Sequence, residues 1–320
     1  MAQEEAQAPA LEVSTNAFLP TYLSLAPNIN DFTRFADGGS DANWYVGYNN
    51  AWIVKLPPAP AGEFSRAFVG AKLGRAKTRP SENRPWVRDL IPGKIYVAIS
   101  PTPAFNNKQT FFLVDAADIP AEPDPSASVE GIGSSEWFWA EVPMDRISSA
   151  GPNFVIVYSA TQYFQSASSA PILAAASVDS SMPRETRAWN NRSISGVPPR
   201  KGSNALQTAI NNISPALVVK LVPPVTSEVT VTDITARNLG ATYLVEFSAG
   251  GENLAEAWVE VSQDQLDWTR AGRVIRKPPY SFTLQAAKLP PAASYARGVA
   301  RDICGNTGHS IPVPLPYAPR

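Results

Sequence analysis

Short runs of aromatic and β-branched residues, separated by turn residues, recur along the chain and predict strands. The most apolar pair, at 137–142 and 154–158, flanks a link that contains serine, glycine and proline. These runs predict neighbouring strands of one buried sheet, or strands that cross between two packed sheets. In a strand, Trp137 and Trp139 point to one face and Phe138 to the other, so both faces are apolar. We therefore expect a sheet covered on both sides, and interpret this stretch as core.

The same pattern extends to both sides of a break at Pro223–Pro224. Further runs lie at 44–56, 67–73, 94–100, 110–115, 171–178 and 216–222, and beyond the break at 228–236, 241–247, 256–261, 273–276, 280–284 and 295–302. One short helix is predicted at 203–213, with Ser203 as its cap.

Chain length and the proline break together predict two domains. The fold class is all-β: an extended or disordered lead at 1–17, a larger jelly-roll-like β-sandwich at 18–222, and an immunoglobulin-like sandwich with an extended tail at 225–320. Strand count and domain size are the basis for the jelly roll.

Composition supports a turn-rich β-protein and narrows the functional classes. Charged residues make up 17% of the 320 residues, and there are 31 prolines. The net charge of −1 indicates no field that favours nucleic acid. The single cysteine excludes an intrachain disulfide, and the single histidine excludes a site with several histidine ligands.

The order of features at 225–310 carries a family resemblance. A strand with an aromatic residue at 257–261 precedes Asp267–Trp268, the segment 279–284 (PYSFTL) and a turn at Leu289–Pro290, and a strand at 294–300 leads to a closing Gly305–Asn306 turn. In this order the features resemble bacterial immunoglobulin-like (fibronectin-like) surface-protein domains. The resemblance implies a spacer or adhesion module rather than a catalyst.

One acidic loop is a candidate metal site. Asp37 and Asp41 lie beside Ser40 in a glycine-containing loop, and closely spaced oxygen ligands suit Ca²⁺. The loop lacks the full ligand series of an EF-hand, so an ordinary turn is the alternative. No other cofactor is predicted.

Catalytic motifs are sparse in the sequence. It contains no Gly-x-Ser-x-Gly elbow, P-loop, CxxC or HExxH motif. Carboxylates that could serve glycoside cleavage lie at Asp115, Asp118, Glu122, Asp124 and Glu130, mostly in a proline-rich stretch typical of a solvated loop. We expect no enzymatic activity.

Aromatic residues near basic ones are the candidate binding residues. Trp86 lies with Arg84 in one basic loop, Trp189 lies with Arg187 in another, and Tyr48 lies in an aromatic stretch. Flat rings beside polar donors suit sugar stacking, whereas Trp with Arg also forms the anchors of protein interfaces. Most strand aromatics are expected to be core.

These features predict a non-enzymatic extracellular or cell-surface bacterial protein with a structural or adhesive role. It would act through contacts with other protein subunits, self-assembly included, in a surface layer, fibre or attachment complex. Extended termini, such as 17–25 or 311–319, could add to a neighbour's sheet edge. The alternative is a carbohydrate-binding protein. A glycoside hydrolase or lyase on the jelly roll requires two carboxylates about 5–10 Å apart.

Export is an expectation drawn from the N-terminal composition. No apolar run approaches the ~18 residues that cross a bilayer. The first 13 residues have no basic region and no hydrophobic stretch, so they are not a signal peptide. They resemble the polar start of a mature exported chain, from which the signal peptide would already be missing.

Overall fold

The computed structural model divides the chain into two compact units, Thr21–Val222 and Pro223–Arg320. The two units therefore meet in sequence at the Pro223–Pro224 pair. The described residues are 19–35, 44–106, 110–115, 118–119, 121, 135–181, 183, 188–191, 196–208, 212–224 and 227–316.

The fold is all-β, which confirms the predicted class, and no helix of seven or more residues occurs in the described part of the chain. The strands of the first unit are β1 (Thr21–Leu23), β2 (Ala51–Leu56), β3 (Arg66–Gly74), β4 (Thr78–Pro80), β5 (Arg88–Leu90), β6 (Lys94–Ser100), β7 (Thr110–Asp115), β8 (Ser135–Val142), β9 (Asn153–Tyr158), β10 (Ile172–Leu173), β11 (Ala175–Ser177), β12 (Ala188–Asn191), β13 (Leu206–Gln207), β14 (Ile213–Pro215) and β15 (Leu217–Val222). Single 3₁₀ turns lie at Ile29–Asp31, Met144–Arg146 and Gly202–Asn204.

Two large antiparallel sheets and two small two-stranded sheets, β4–β5 and β11–β14, form the first unit. Sheet A has the order β1-β15-β3-β8, with β10 continuing alongside β3, and sheet D has the order β13-β12-β2-β9-β6-β7. The connections β2–β3, β7–β8 and β8–β9 cross from one sheet to the other, as in a jelly roll. The β3–β6 connection also crosses, and it contains a separate two-stranded hairpin, β4–β5.

The core of this unit lies between the two sheets. Alternate residues of β3 and β15 in sheet A pack against alternate residues of β2, β6 and β9 in sheet D. Trp44 and Trp52 stack in this core with ring centroids 4.4 Å apart. The apolar side chains of the predicted strands thus supply the packing.

The segment around residues 137–158 crosses between the sheets, which was the second of its two predicted arrangements. β8 is an edge strand of sheet A, while β9 is central in sheet D. Phe138 and Ala140 pack in the inter-sheet core. Trp137 and Trp139 point to the outer face of sheet A and are only half-buried, so both faces of β8 are in contact with apolar residues.

One local expectation is wrong. The predicted helix at 203–213 is instead a 3₁₀ turn followed by β13, and Ile213 begins β14. The described parts of the two termini, which were predicted to extend a neighbour's sheet, each pair with a strand of this chain. Thr21–Leu23 pairs with β15, and Val313–Pro314 pairs with a strand of the second unit.

The second unit is an immunoglobulin-like sandwich. Its strands are β16 (Thr230–Asn238), β17 (Thr242–Gly250), β18 (Leu254–Ser262), β19 (Thr269–Ile275), β20 (Tyr280–Gln285), β21 (Tyr295–Asp302), β22 (Thr307–His309) and β23 (Val313–Pro314), with a 3₁₀ turn at Ala286–Lys288. One sheet has the order β16-β17-β20, and the other has the order β19-β18-β21-β22, with β23 also paired to β21. Strands β19 and β20 are therefore edges of their respective sheets.

Aromatic residues of β17 and β20 fill the centre of the second sandwich. Phe247 stacks on Phe282 at 5.4 Å and on Tyr280 at 5.7 Å. The PYSFTL segment thus places alternate side chains in the core, as its pattern predicts. The single cysteine, Cys304, is also buried in this unit.

No helix among the described residues is long and apolar enough to span a membrane.

Candidate binding surfaces

The β4–β5 hairpin carries the most exposed tryptophan in the described residues, Trp86, at 80% exposure. Its turn is closed by the amide of Ser81, which donates to the Val87 carbonyl at 2.8 Å, and by the amide of Val87, which donates to the Arg84 carbonyl at 2.8 Å. Arg88 ties the two strands together because its guanidinium donates to the carbonyl and hydroxyl of Thr78. The backbone of the turn is therefore ordered while the indole ring stays in solvent.

A second exposed aromatic residue adjoins the base of the hairpin. Tyr163 is 58% exposed, and the Arg79 guanidinium of β4 lies 5.7 Å from its ring centroid. Its neighbour Phe164 is buried in the inter-sheet core and anchors the loop. We call Arg79, Arg84, Trp86 and Tyr163 the hairpin patch.

The other predicted binding residues do not join the hairpin patch through their side chains. Tyr48 is half-buried against Gly196, and only its backbone amide reaches the Tyr163 loop, donating to the Phe164 carbonyl at 2.6 Å. Trp189 lies in β12, where its half-buried ring contacts Phe154 at 5.3 Å on the outer face of sheet D.

Three predicted site residues cannot be placed. Arg187, Asp37 and Asp41 lie outside the described residues. Among the residues that the structure does describe, no group of three or more His, Cys, Asp or Glu side chains could hold a metal ion. The calcium loop therefore stays a prediction.

The outer face of sheet A holds a row of aromatic residues that includes Trp137 and Trp139, both predicted to be core. Trp137 and Trp139 stack with centroids 5.1 Å apart, and Tyr22 lies 6.2 Å beyond Trp139. Phe32 contacts Trp137 edge-on at 5.6 Å from the other side. We call these four residues the aromatic row. The period-two alternation of β8 was its only sequence signal.

Gly70 determines how Trp139 lies on the sheet. It pairs directly with Trp139 across β3 and β8, and a Cβ atom at Gly70 would lie 2.3 Å from the indole ring. The ring therefore rests on the glycine backbone. The buried Lys220 ammonium lies 4.5 Å from the ring centroids of both Trp139 and Phe68.

An ion pair borders the aromatic row. The Arg66 guanidinium donates to both carboxylate oxygens of Glu141 at 2.9 Å and lies 4.8 Å from the Phe68 ring centroid. The hydrogen bond from Arg66 holds the pKa of the Glu141 carboxyl below its usual value of 4.5.

Because the pKa of Glu141 is lower in the folded state, this pair stabilises the fold above about pH 4.5 and the contribution is lost as pH falls further. As the pH falls, Glu141 is protonated in the unfolded chain at a higher pH than in the folded protein, so protonation favours unfolding. Both side chains are partly solvated, so we expect only about 0.2–1 kcal/mol. Acid-unfolding profiles of wild type and Arg66→Gln should converge at low pH. A difference between them that does not narrow as the pH falls below 4.5 would contradict this assignment.

Two carboxylates of the second unit, Glu256 and Glu260, are each paired with an arginine. Glu260 accepts both Nε and Nη2 of Arg297 at 2.7–2.8 Å and also accepts the Trp258 indole N–H at 3.0 Å. Glu256 is bound in the same way by Arg301. Charge-assisted hydrogen bonds therefore hold both carboxylates in ion pairs.

Of the carboxylates considered for glycoside cleavage, the described residues include Asp115 and Asp118. Asp115 lies 3.8 Å from Lys94, and Asp118 is exposed. Glu122, Asp124 and Glu130 lie outside the described residues.

Comparison with known proteins shows little similarity. The sequence matches no protein-family model, and no curated protein matches it. Among solved structures, a β-1,2-glucanase from Parabacteroides distasonis aligns over 84% of this chain and 31% of its own, with 9% identity and a TM-score of 0.27. A β-D-glucuronidase from Dictyoglomus thermophilum aligns over 88% of this chain and 38% of its own, with 12% identity and a TM-score of 0.22. The chain thus spans roughly a third of these enzymes, and at such scores the likeness carries no argument about activity.

Proposed function

We propose that this chain is a non-enzymatic structural or adhesive protein of the bacterial cell surface that acts through protein–protein contacts. The observation that carries the proposal is Trp86, held in solvent at the turn of an ordered, basic hairpin. Tryptophan and arginine dominate the energetics of protein interfaces, because a large ring buries much apolar area at low entropic cost. The paired carboxylates of the second unit and the turn-rich β-fold are in keeping with a binding role.

Site-specific photo-crosslinking in the producing cells tests this function. A photo-reactive phenylalanine analogue at position 86 should give a discrete crosslinked protein band, with Trp86→Ala lowering the yield of the same band from a probe at position 163. The matched control places the analogue at Leu239, an exposed residue of the second unit. The proposal fails if position 86 yields no more product than position 239.

The Trp86→Ala substitution should leave the fold intact. Because the side chain is 80% exposed, we expect the free energy of unfolding to change by no more than about 0.5 kcal/mol. Urea unfolding monitored by circular dichroism checks this, and it makes a loss of crosslinking interpretable as a loss of binding. A larger destabilisation would show that the ring packs against the protein.

Carbohydrate binding is the second candidate, and the aromatic row favours it. Two stacked indole rings on a sheet face, bordered by the Arg66–Glu141 pair, combine flat apolar surface with planar polar groups. A glycan array would detect the ligand, and Trp137→Ala should then abolish binding while Trp86→Ala should not. Absence of any bound glycan on the wild-type protein would end this reading.

A further inference from the structure

The connection between β2 and β3 begins with an exposed segment of sequence Pro-Pro-Ala-Pro, residues 57–60, which we call the proline segment. A proline ring fixes its own φ, and a residue that precedes a proline is held in an extended conformation. Three of these four residues are prolines, so the sequence favours the polyproline II conformation even before the chain folds. The rings of Pro57, Pro58 and Pro60 are all exposed.

A buried asparagine anchors the proline segment to the first sandwich. Asn153, which is 1% exposed at the start of β9, donates from Nδ2 to the Pro57 carbonyl at 3.0 Å. Its side chain also accepts from the Ser148 amide at 2.8 Å and donates to the Ser148 carbonyl at 3.0 Å. The Ala59 amide donates to the same carbonyl at 2.9 Å, and Ala59 packs against the inter-sheet core. The segment is therefore fixed at Pro57 and Ala59 while its proline rings stay in solvent.

The proline segment and the hairpin patch lie at opposite ends of the first sandwich. β9 begins beside the proline segment, and after its last residue the chain leads into the loop that carries Tyr163. β3 likewise begins after the proline segment, and its end leads into the β4–β5 hairpin. The six residues of β9 span roughly 20 Å. The proline segment of one copy therefore does not reach the hairpin patch of the same copy.

The two ends have complementary chemistry. Exposed aromatic rings are the surfaces that bind polyproline II segments, because flat rings stack on the prolines and a stiff segment loses little entropy. Trp86 and Tyr163 supply such rings at 80% and 58% exposure. The hairpin also contains Glu82 and Asp89 beside its three arginines, so we assign the attraction to ring stacking rather than to charge.

We propose that the proline segment of one copy of this chain docks on the hairpin patch of a second copy, with its proline rings stacked on Trp86 and Tyr163. Because the two surfaces differ and lie at opposite ends, the contact is head-to-tail, and each added copy leaves one free surface of each kind. The contact thus builds a row or a ring of copies and not a closed symmetric dimer. The inference rests on the proposed function, which it deepens by naming a second copy as the partner of the hairpin patch.

Sedimentation velocity of the full chain over a series of concentrations tests the proposal. The wild-type protein should form species larger than a dimer as its concentration rises. Trp86→Ala should weaken association about tenfold or more, and so should Pro57→Ala combined with Pro60→Ala, because each removes the rings from one side of the contact. An equimolar mixture of these two variants should form a dimer and nothing larger, since each variant keeps the surface that the other lacks.

The matched control is Pro290→Ala combined with Pro291→Ala, which removes two exposed proline rings from the second unit. It should keep association within about twofold of wild type. Equal losses from the two double substitutions would overturn the proposal, and so would a wild-type protein or a mixture of variants that stays monomeric.

A labelled peptide of residues 56–63 (LPPAPAGE) gives a second measurement that does not need the proline variant to fold. In fluorescence anisotropy it should bind the wild-type chain, and Trp86→Ala should weaken this binding about tenfold or more. Equal binding to the wild-type chain and to Trp86→Ala would overturn the proposal.

Failure of this inference can be told apart from failure of the proposed function. If position 86 crosslinks in the producing cells only to a different protein and the purified chain stays monomeric, only the head-to-tail contact falls. If the purified chain assembles through both ends but position 86 gives no crosslink in the cells, the proposed function falls and the contact stands.

Discussion

Replacing Phe282 with alanine is expected to lower the free energy of unfolding by about 3–5 kcal/mol. The side chain is 1% exposed in the centre of the second sandwich, where its ring stacks on Phe247. Removing it loses the burial of a large apolar surface and leaves a cavity that the two sheets can only partly close. This is a large share of the stability of a typical domain.

Urea unfolding monitored by circular dichroism measures this effect. Leu266→Ala is the matched control, because Leu266 belongs to the same unit but is 82% exposed, and it should change stability by at most about 0.5 kcal/mol. Comparable losses from the two substitutions would contradict the placement of Phe282 at the centre of the core.

Most of the longer strands of both units were predictable because they bury a face against another sheet. In β9 all six residues are buried, and its sequence is an unbroken run of aromatic and β-branched residues after Asn153. In β20 only alternate residues are buried, and the sequence alternates accordingly. Burial on one or both faces thus has a direct sequence signal.

The prediction of a helix at 203–213 was wrong because apolar residues at helical spacing form a helix in a protein only where that apolar face packs against another element. Leu206, an apolar residue within that span, is 65% exposed in the two-residue strand β13. Ile213 instead starts β14, which pairs with β11. Tertiary pairing overrides a weak local preference in segments this short.

The candidate surfaces were harder to predict, because they depend on strand register and on which sheet face is covered. The high exposure of Trp86 could be anticipated from its proline-broken basic loop. The aromatic row could not, since nothing in the sequence shows that Trp139 pairs with Gly70 or that Tyr22 reaches it from another strand.

The pairing of Gly70 with Trp139 leads to the second large effect. Gly70→Ala should lower the free energy of unfolding by about 1–3 kcal/mol, because the new methyl group would meet the indole ring at 2.3 Å and the ring must lift from the sheet. The same substitution in a Trp139→Ala background should cost almost nothing, since the obstructing ring is gone.

A double-mutant cycle measured by urea unfolding gives this coupling directly. Gly151→Ala is the control: a Cβ there would meet only the Ser148 hydroxyl oxygen, at an ordinary 3.7 Å, so little change is expected. If Gly70→Ala costs the same with and without the indole, then Trp139 does not rest on Gly70. The flat aromatic row would then be lost as a sugar platform, and the hairpin patch would remain as the candidate binding surface of the first unit.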